Sequence, residues 1–236
     1  MSLTSDMTLS EVLRVRRGAC GLFDDIGIDY ACGGGTTLKA AAASAGLTAV
    51  ELMGLVENID PDSGTDWNTA PLAELTRHLS HDHQRLLGGL LPRFRTAIEG
   101  AIERHGNLAL LMRMRDLCAS LITLIADHVE SEERELFPLV EKLEAAASSP
   151  ETEAPHARIS ARVLREFIEH EGVRDRVHML RDLTAELRVS CDVEAMSTEL
   201  RTFQRQLNFH MHLENNVLYP RAIAIENELR HHSSVS

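Results

Sequence analysis

Leu121-Ile-Thr-Leu-Ile125-Ala-Asp-His128-Val-Glu-Ser-Glu132-Glu-Arg-Glu-Leu-Phe-Pro138 decides the fold. Its apolar residues recur three and four apart, the period of a helix with one buried face. At about 100° per residue, His128 and Glu132 fall in the middle of the stripe formed by Leu117, Leu121, Leu124, Ile125, Leu139 and Leu143. Residues four apart share a helix face, so an imidazole and a carboxylate both enter the core. His210-Met-His-Leu-Glu214-Asn-Asn-Val-Leu-Tyr-Pro220 repeats the spacing: Phe203, Leu207, Leu213 and Val217 surround His210 and Glu214, and His212 points away.

Two further helices each place one histidine in an apolar stripe. His83 lies among Leu72, Leu75, Leu79, Leu86, Leu90 and Phe94, with His81 on the opposite side and His78 off the stripe. His170 lies among Val163, Phe167, Val173 and Val177. Breaks at Gly106-Asn107, at Ser148-Ser-Pro150 to Pro155 and at Ser190-Cys-Asp192 leave four helices, at 71–104, 107–146, 155–188 and 193–228. Short connections between long helices predict an all-α, up-down-up-down four-helix bundle. The midpoints of 83 and 128, of 128 and 170, and of 170 and 210 are 105.5, 149 and 190, and each lands on a break. That symmetry sets the four histidines at one height.

A single histidine on an apolar face is ordinarily a hydrogen-bonded core residue. Four at one level with two carboxylates are another matter, because uncompensated burial of two carboxylates costs several kcal/mol or more. Apart from Arg174, no Lys or Arg lies in the stripes at that level. Four imidazoles and two carboxylates suit a dinuclear metal site with bridging glutamates; iron is favoured, and manganese or zinc is compatible with such nitrogen and oxygen donors. Glu133 and Glu135, beside the site, read as solvated side chains rather than the lining of an iron exit path.

Composition narrows the function. The chain has 236 residues, with 24 Lys and Arg against 36 Asp and Glu, for a formal charge of −12. That balance opposes binding to nucleic acid and to anionic membrane. Aromatic residues make up 4%, too few for a base-stacking platform. No run of 18 apolar residues predicts a membrane span, and the N-terminus has no apolar leader. Cys20, Cys32, Cys118 and Cys191 follow no pairing pattern, as expected of a reduced, cytoplasmic protein.

Residues 1–60 read as a small helical domain, 61–70 as a linker and 71–230 as the bundle. Thr8-Leu-Ser-Glu11 and Thr48-Ala-Val-Glu51 fit the capping box. Cys32-Gly-Gly-Gly35 forms a permissive loop between helices. The apolar residues Leu13, Leu22, Phe23, Leu52 and Leu55 must cover either the bundle or a second subunit, so a homodimer is one reading.

The bundle motifs resemble those of hemerythrin-like (HHE) domains. From about residue 8 to 226 the chain resembles the RIC (repair of iron centres, ScdA-type) family of di-iron proteins. The resemblance rests on Gly27-Ile-Asp-Tyr30-Ala-Cys32-Gly-Gly34, Ile168-Glu-His170-Glu and the two long His-x-x-x-Glu segments. It implies a hemerythrin-like bundle with a small N-terminal domain. It further implies two non-haem irons, oxo- and carboxylate-bridged, on His83, His128, Glu132, His170, His210 and Glu214, with both glutamates bridging. The implied function is repair of damaged iron–sulfur clusters under nitrosative or oxidative stress, by donating iron or handling NO. Iron–sulfur proteins or their apo forms would be the partners, and NO, O₂ or peroxide the small ligands. The alternatives are an O₂- or NO-binding or sensing protein, and a di-iron oxidase or peroxidase. The family usually has two adjacent cysteines where this chain has Ala31-Cys32, so a role needing a vicinal pair is in doubt. Cys32 alone can still bind metal or NO, or form a mixed disulfide. His105 aligns with another family histidine but lies 22 residues from His83, about 33 Å along a straight helix, and is not expected to be a ligand.

Overall fold

The computed structural model describes residues 3–59, 65–149, 158–188 and 193–233. The first part of the expected linker (61–64) and the cores of two expected breaks (150–155 and 190–192) lie outside them. The regular secondary structure of the described residues is helical apart from one isolated bridge, Thr8 to Thr37.

The chain divides into two units, Met1–Pro71 with Asn208–Arg221, and Leu72–Leu207 with Ala222–Ser236. Four short helices open the first: α1 (Leu9–Val15), α2 (Ala19–Ile26), α3 (Leu38–Ser44) and α4 (Ala49–Glu57). Both expected capping boxes form, at Thr8–Glu11 and Thr48–Glu51. Hydrogen bonding to the threonine backbone holds both glutamates below the usual carboxylate range. The unit has its own core, in which Leu13, Phe23, Tyr30, Leu38 and Leu52 are fully buried. Leu22 packs against that core and Leu55 is exposed.

Four long helices follow. Each of three is interrupted by a five-residue π turn. α5 runs through Leu72–Arg85, the π turn Leu86–Leu90 and Leu91–His105. α6 runs through Ala109–Ser131, the π turn Glu132–Leu136 and Phe137–Ser148. α7 is unbroken over Ile159–Leu187. α8 runs through Glu194–Leu213, the π turn Glu214–Leu218 and Tyr219–Ser233. Gly106, at a φ of 78°, ends α5 at the expected stop.

In the second unit neighbouring helices are antiparallel, as an up-down-up-down bundle requires. Leu72 of α5 meets Glu144 of α6, Arg165 of α7 meets Ser131 of α6, and Ile159 of α7 meets Glu226 of α8. Two of these contacts cap helix starts. The backbone N–H groups of Leu72 and Ala73 donate to Glu144, at 2.6 and 3.0 Å. Those of Ile159 and Ser160 donate to Glu226, at 2.9 and 3.4 Å. A carboxylate suits the unpaired donors and the positive end of the helix dipole.

Two sequence expectations are corrected here. Phe167 is 39% exposed, because Glu166 takes the core-facing place beside it. The α5–α6 hairpin is also centred later than its histidines suggested. Thr76 meets Glu141 and His83 meets Glu133, and the midpoint of 83 and 133 is 108 rather than 105.5. His83 is therefore level with Glu132 and Glu133, about one turn from His128.

Candidate metal centre

The second unit brings His83, His128, Glu132 and His170 together, all buried, with Glu132 at 0% exposure. His83 Nε2 and His128 Nε2 each lie 3.3 Å from the same oxygen, Glu132 Oε2. His170 Nε2 lies 3.1 Å from His128 Nε2. Two donors bound about 2.1 Å from one ion at right angles lie about 3 Å apart. The observed spacings are those of neighbouring positions in a coordination shell.

The other ring nitrogens face carboxylates. His83 Nδ1 lies 3.0 Å from Glu133, and His128 Nδ1 lies 3.0 Å from both Glu166 and Glu169. This is how metal-binding imidazoles are usually oriented: one nitrogen donates to a carboxylate and the other presents its lone pair to the ion. The contact with His128 holds the Glu169 carboxyl below its usual range. His83 also stacks on Phe137, with ring centroids 5.6 Å apart. Glu133 touches this imidazole while its side chain stays exposed. Glu135 pairs instead with Arg134 and Arg162. Glu166 and Glu169 escaped the sequence reading because they reach His128 from the next helix. Their cue was the spacing Glu166-x-x-Glu169-His170, one turn apart beside a core histidine.

Glu132 and Glu214 each open a π turn. Phe137 N–H donates to Glu132 O, Tyr219 N–H to Glu214 O and Leu91 N–H to Leu86 O, all five residues back. A proline follows each donor: Pro138, Pro220 and Pro92. Proline has no N–H to donate, and in an α-helix its ring meets the carbonyl four residues back. The widened turn removes that clash. The cue was the repeated Glu-x-x-x-x-aromatic-Pro, in Glu132–Pro138 and Glu214–Pro220.

In the first unit His210 and Glu214, both buried, form a close pair, Nε2 to Oε1 at 2.8 Å. His212, expected to point away, is buried on the other face of α8 and packs on the Tyr30 ring at 5.7 Å. Burial pushes its pKa down to about 4. Cys32 lies partly buried in the loop between α2 and α3, and its N–H donates to Asp29 Oδ1 at 2.9 Å. His105 ends α5, as the spacing argued. Arg174 contacts Asp175 at 3.3 Å. The described residues thus contain buried His and Glu groups able to hold metal ions.

Curated relatives match about 92% of this chain. An iron–sulfur cluster repair protein YtfE from Pectobacterium carotovorum is 28% identical over 230 residues, covering 92% of this chain and 97% of the relative. A YtfE from Edwardsiella ictaluri is 29% identical, again over 92% and 97%. The chain is a relative of the iron–sulfur cluster repair proteins. A probable iron–sulfur cluster repair protein of Haemophilus influenzae is 26% identical over 91% of this chain and 96% of its own length. No family model matches. The names of these relatives and the buried His and Glu groups agree with the RIC resemblance.

Proposed function

We propose that this protein carries a non-haem di-iron centre and acts in the repair of damaged iron–sulfur clusters, with residues 71–230 as the metal-binding bundle. The ligands are His83, His128, Glu132, His170, His210 and Glu214, with Glu132 and Glu214 bridging. One observation carries the reading: two imidazole nitrogens address a single buried Glu132 oxygen, and each ring is held from behind by carboxylates. A hydrogen-bonded structural cluster needs no such convergence. α8 adds His210 and Glu214 from one turn.

Such an iron pair supplies redox-active positions for NO, O₂ or peroxide and a store of iron to release. The residues of the chain do the rest. Glu133 and Glu169 accept the Nδ1 protons of His83 and His128, which keeps the Nε2 lone pairs directed inward, and the Glu166 carboxylate lies beside the His128 ring. Phe137 and the surrounding leucines keep bulk water out. Glu166 is buried and the Glu169 side chain is 26% exposed, so carboxylates continue outward from His128. The clients in this reading are iron–sulfur proteins or their apo forms. Among the described residues no single helix is long and apolar enough to cross a membrane, and the reading places the protein in the cytoplasm. Cys32 is its candidate thiol for metal or NO.

The test is metal content and the optical spectrum of anaerobically purified protein, beside a His128→Ala/His210→Ala variant. Two irons per chain, with a near-ultraviolet oxo-bridge band lost in the variant, are expected. A folded wild type that takes up no Fe(II) overturns the di-iron reading. Iron passing stoichiometrically to an apo-cluster protein separates repair from reversible O₂ binding or catalytic peroxide consumption.

A further inference from the structure

The first unit grips the turns of α8 that carry His210 and Glu214. Asn208, His212, Asn215 and Asn216 recur at helical spacing on the other face of α8. Asn208 donates to Asp24 Oδ1 at 2.7 Å. The Asn215 amide donates to the Ala31 carbonyl at 3.1 Å. The Asn216 amide donates to the carbonyls of Ala31 and Tyr30, at 3.0 and 3.3 Å. A Cβ on Gly34 would overlap the Asn216 side chain, so only glycine lets the loop close on it. The loop is braced by Cys32 N–H on Asp29 and Thr36 N–H on Gly33.

Apolar side chains would dock this face without burying amides that must then be satisfied. Hydrogen bonds add direction, and direction matters at this place. Asn215 and Asn216 are the two residues after Glu214, inside its π turn. A π turn is a rare local geometry that its surroundings must hold. Fixing these two amides fixes the rotation of the turn and so the heading of the Glu214 carboxylate. We propose that Asn215 and Asn216, seated on the Tyr30 and Ala31 carbonyls, are positioning residues that aim Glu214 at the metal. The Cys/Gly loop unit is then part of the apparatus that holds the metal, not an appended module. This inference rests on the di-iron reading above.

The experiment uses the full chain loaded with iron. Six variants are compared with the wild type: Asn215→Ala/Asn216→Ala, Gly34→Ala, Asn216→Ala, Gly34→Ala/Asn216→Ala, the isosteric Asn216→Asp, which loses the donors, and Thr48→Ala. The last weakens a helix cap in the same unit without touching α8. The readouts are the rate of iron release to a chelator and the Mössbauer spectrum, with circular dichroism to confirm folding. The asparagine and Gly34 variants are expected to release iron about ten-fold faster and to show an altered iron site. Thr48→Ala is expected to match the wild type on both. Asn216→Ala added to Gly34→Ala should cost less than the two defects summed, because it removes the overlap. Should the double variant not fold, Asn216→Asp carries the same expectation. Wild-type release rates and spectra in the folded asparagine variants overturn this inference alone. A wild type that binds no iron overturns the di-iron reading and this inference with it.

Discussion

Glu133, Glu166 and Glu169 hold the imidazoles from behind, and each can be tested singly. Glu133→Gln leaves His83 without a charged acceptor on Nδ1, and Glu169→Gln removes the charged acceptor of His128. Each is expected to weaken iron binding by about ten-fold, read by chelator competition, with little change in fold. His212 makes a separate prediction. Its folded pKa of about 4 lies below the ordinary 6.5, so the folded state disfavours the proton. The stability contributed by the neutral ring is complete above about pH 6.5 and is lost as pH falls toward 4. The loss at pH 4.5 is roughly 2–3 kcal/mol. Urea midpoints at pH 7.5 and 4.5 should show that share of the acid sensitivity missing from His212→Asn. Periodicity placed all six proposed ligands in a core, and all six are buried. His212 does point away from the ligand-bearing face, and it is buried as well, because both faces of α8 are covered at that turn.

At the scale of the element, the π turns are the least ordinary feature of the long helices. In α6 and α8 the turn begins on a proposed ligand and ends one residue before an aromatic-proline pair. Pro138→Ala and Pro220→Ala restore an N–H and remove the ring, so an α-helical turn becomes favourable. Closing up by one residue would rotate Glu132 or Glu214 by about 100° relative to the following helix. Lower iron content at unchanged far-ultraviolet dichroism is expected, measured as iron per folded chain. The capping boxes of α1 and α4 were legible because both partners are local. The carboxylate caps on α5 and α7 were not, since Glu144 lies 72 residues from Leu72 and Glu226 lies 67 from Ile159.

Across the whole molecule, the proposed metal would couple to stability. Glu132 and Glu214 are wholly inaccessible to solvent, and a ligand that binds only the folded protein stabilises it by mass action. Free Fe(II) at about 100 times its Kd is worth about 2.7 kcal/mol, which for a chain of this size raises Tm by about 5–10 °C. Anaerobic thermal melts with and without Fe(II) check this, and the His128→Ala/His210→Ala variant should show no rise.

The sequence by itself determined the helical class, the four long helices and the burial of the six proposed ligands. Those properties depend on apolar periodicity and on turn residues a few positions apart. Only the tertiary structure decided the register of α5 on α6, the carboxylates behind His83 and His128, and the loop carbonyls that meet Asn215 and Asn216. Each of these joins residues far apart in the chain, through distances that helical spacing does not encode. The π turns stand between the two. Their prolines are plain in the sequence, but whether a helix kinks or widens there depends on the packing that holds it.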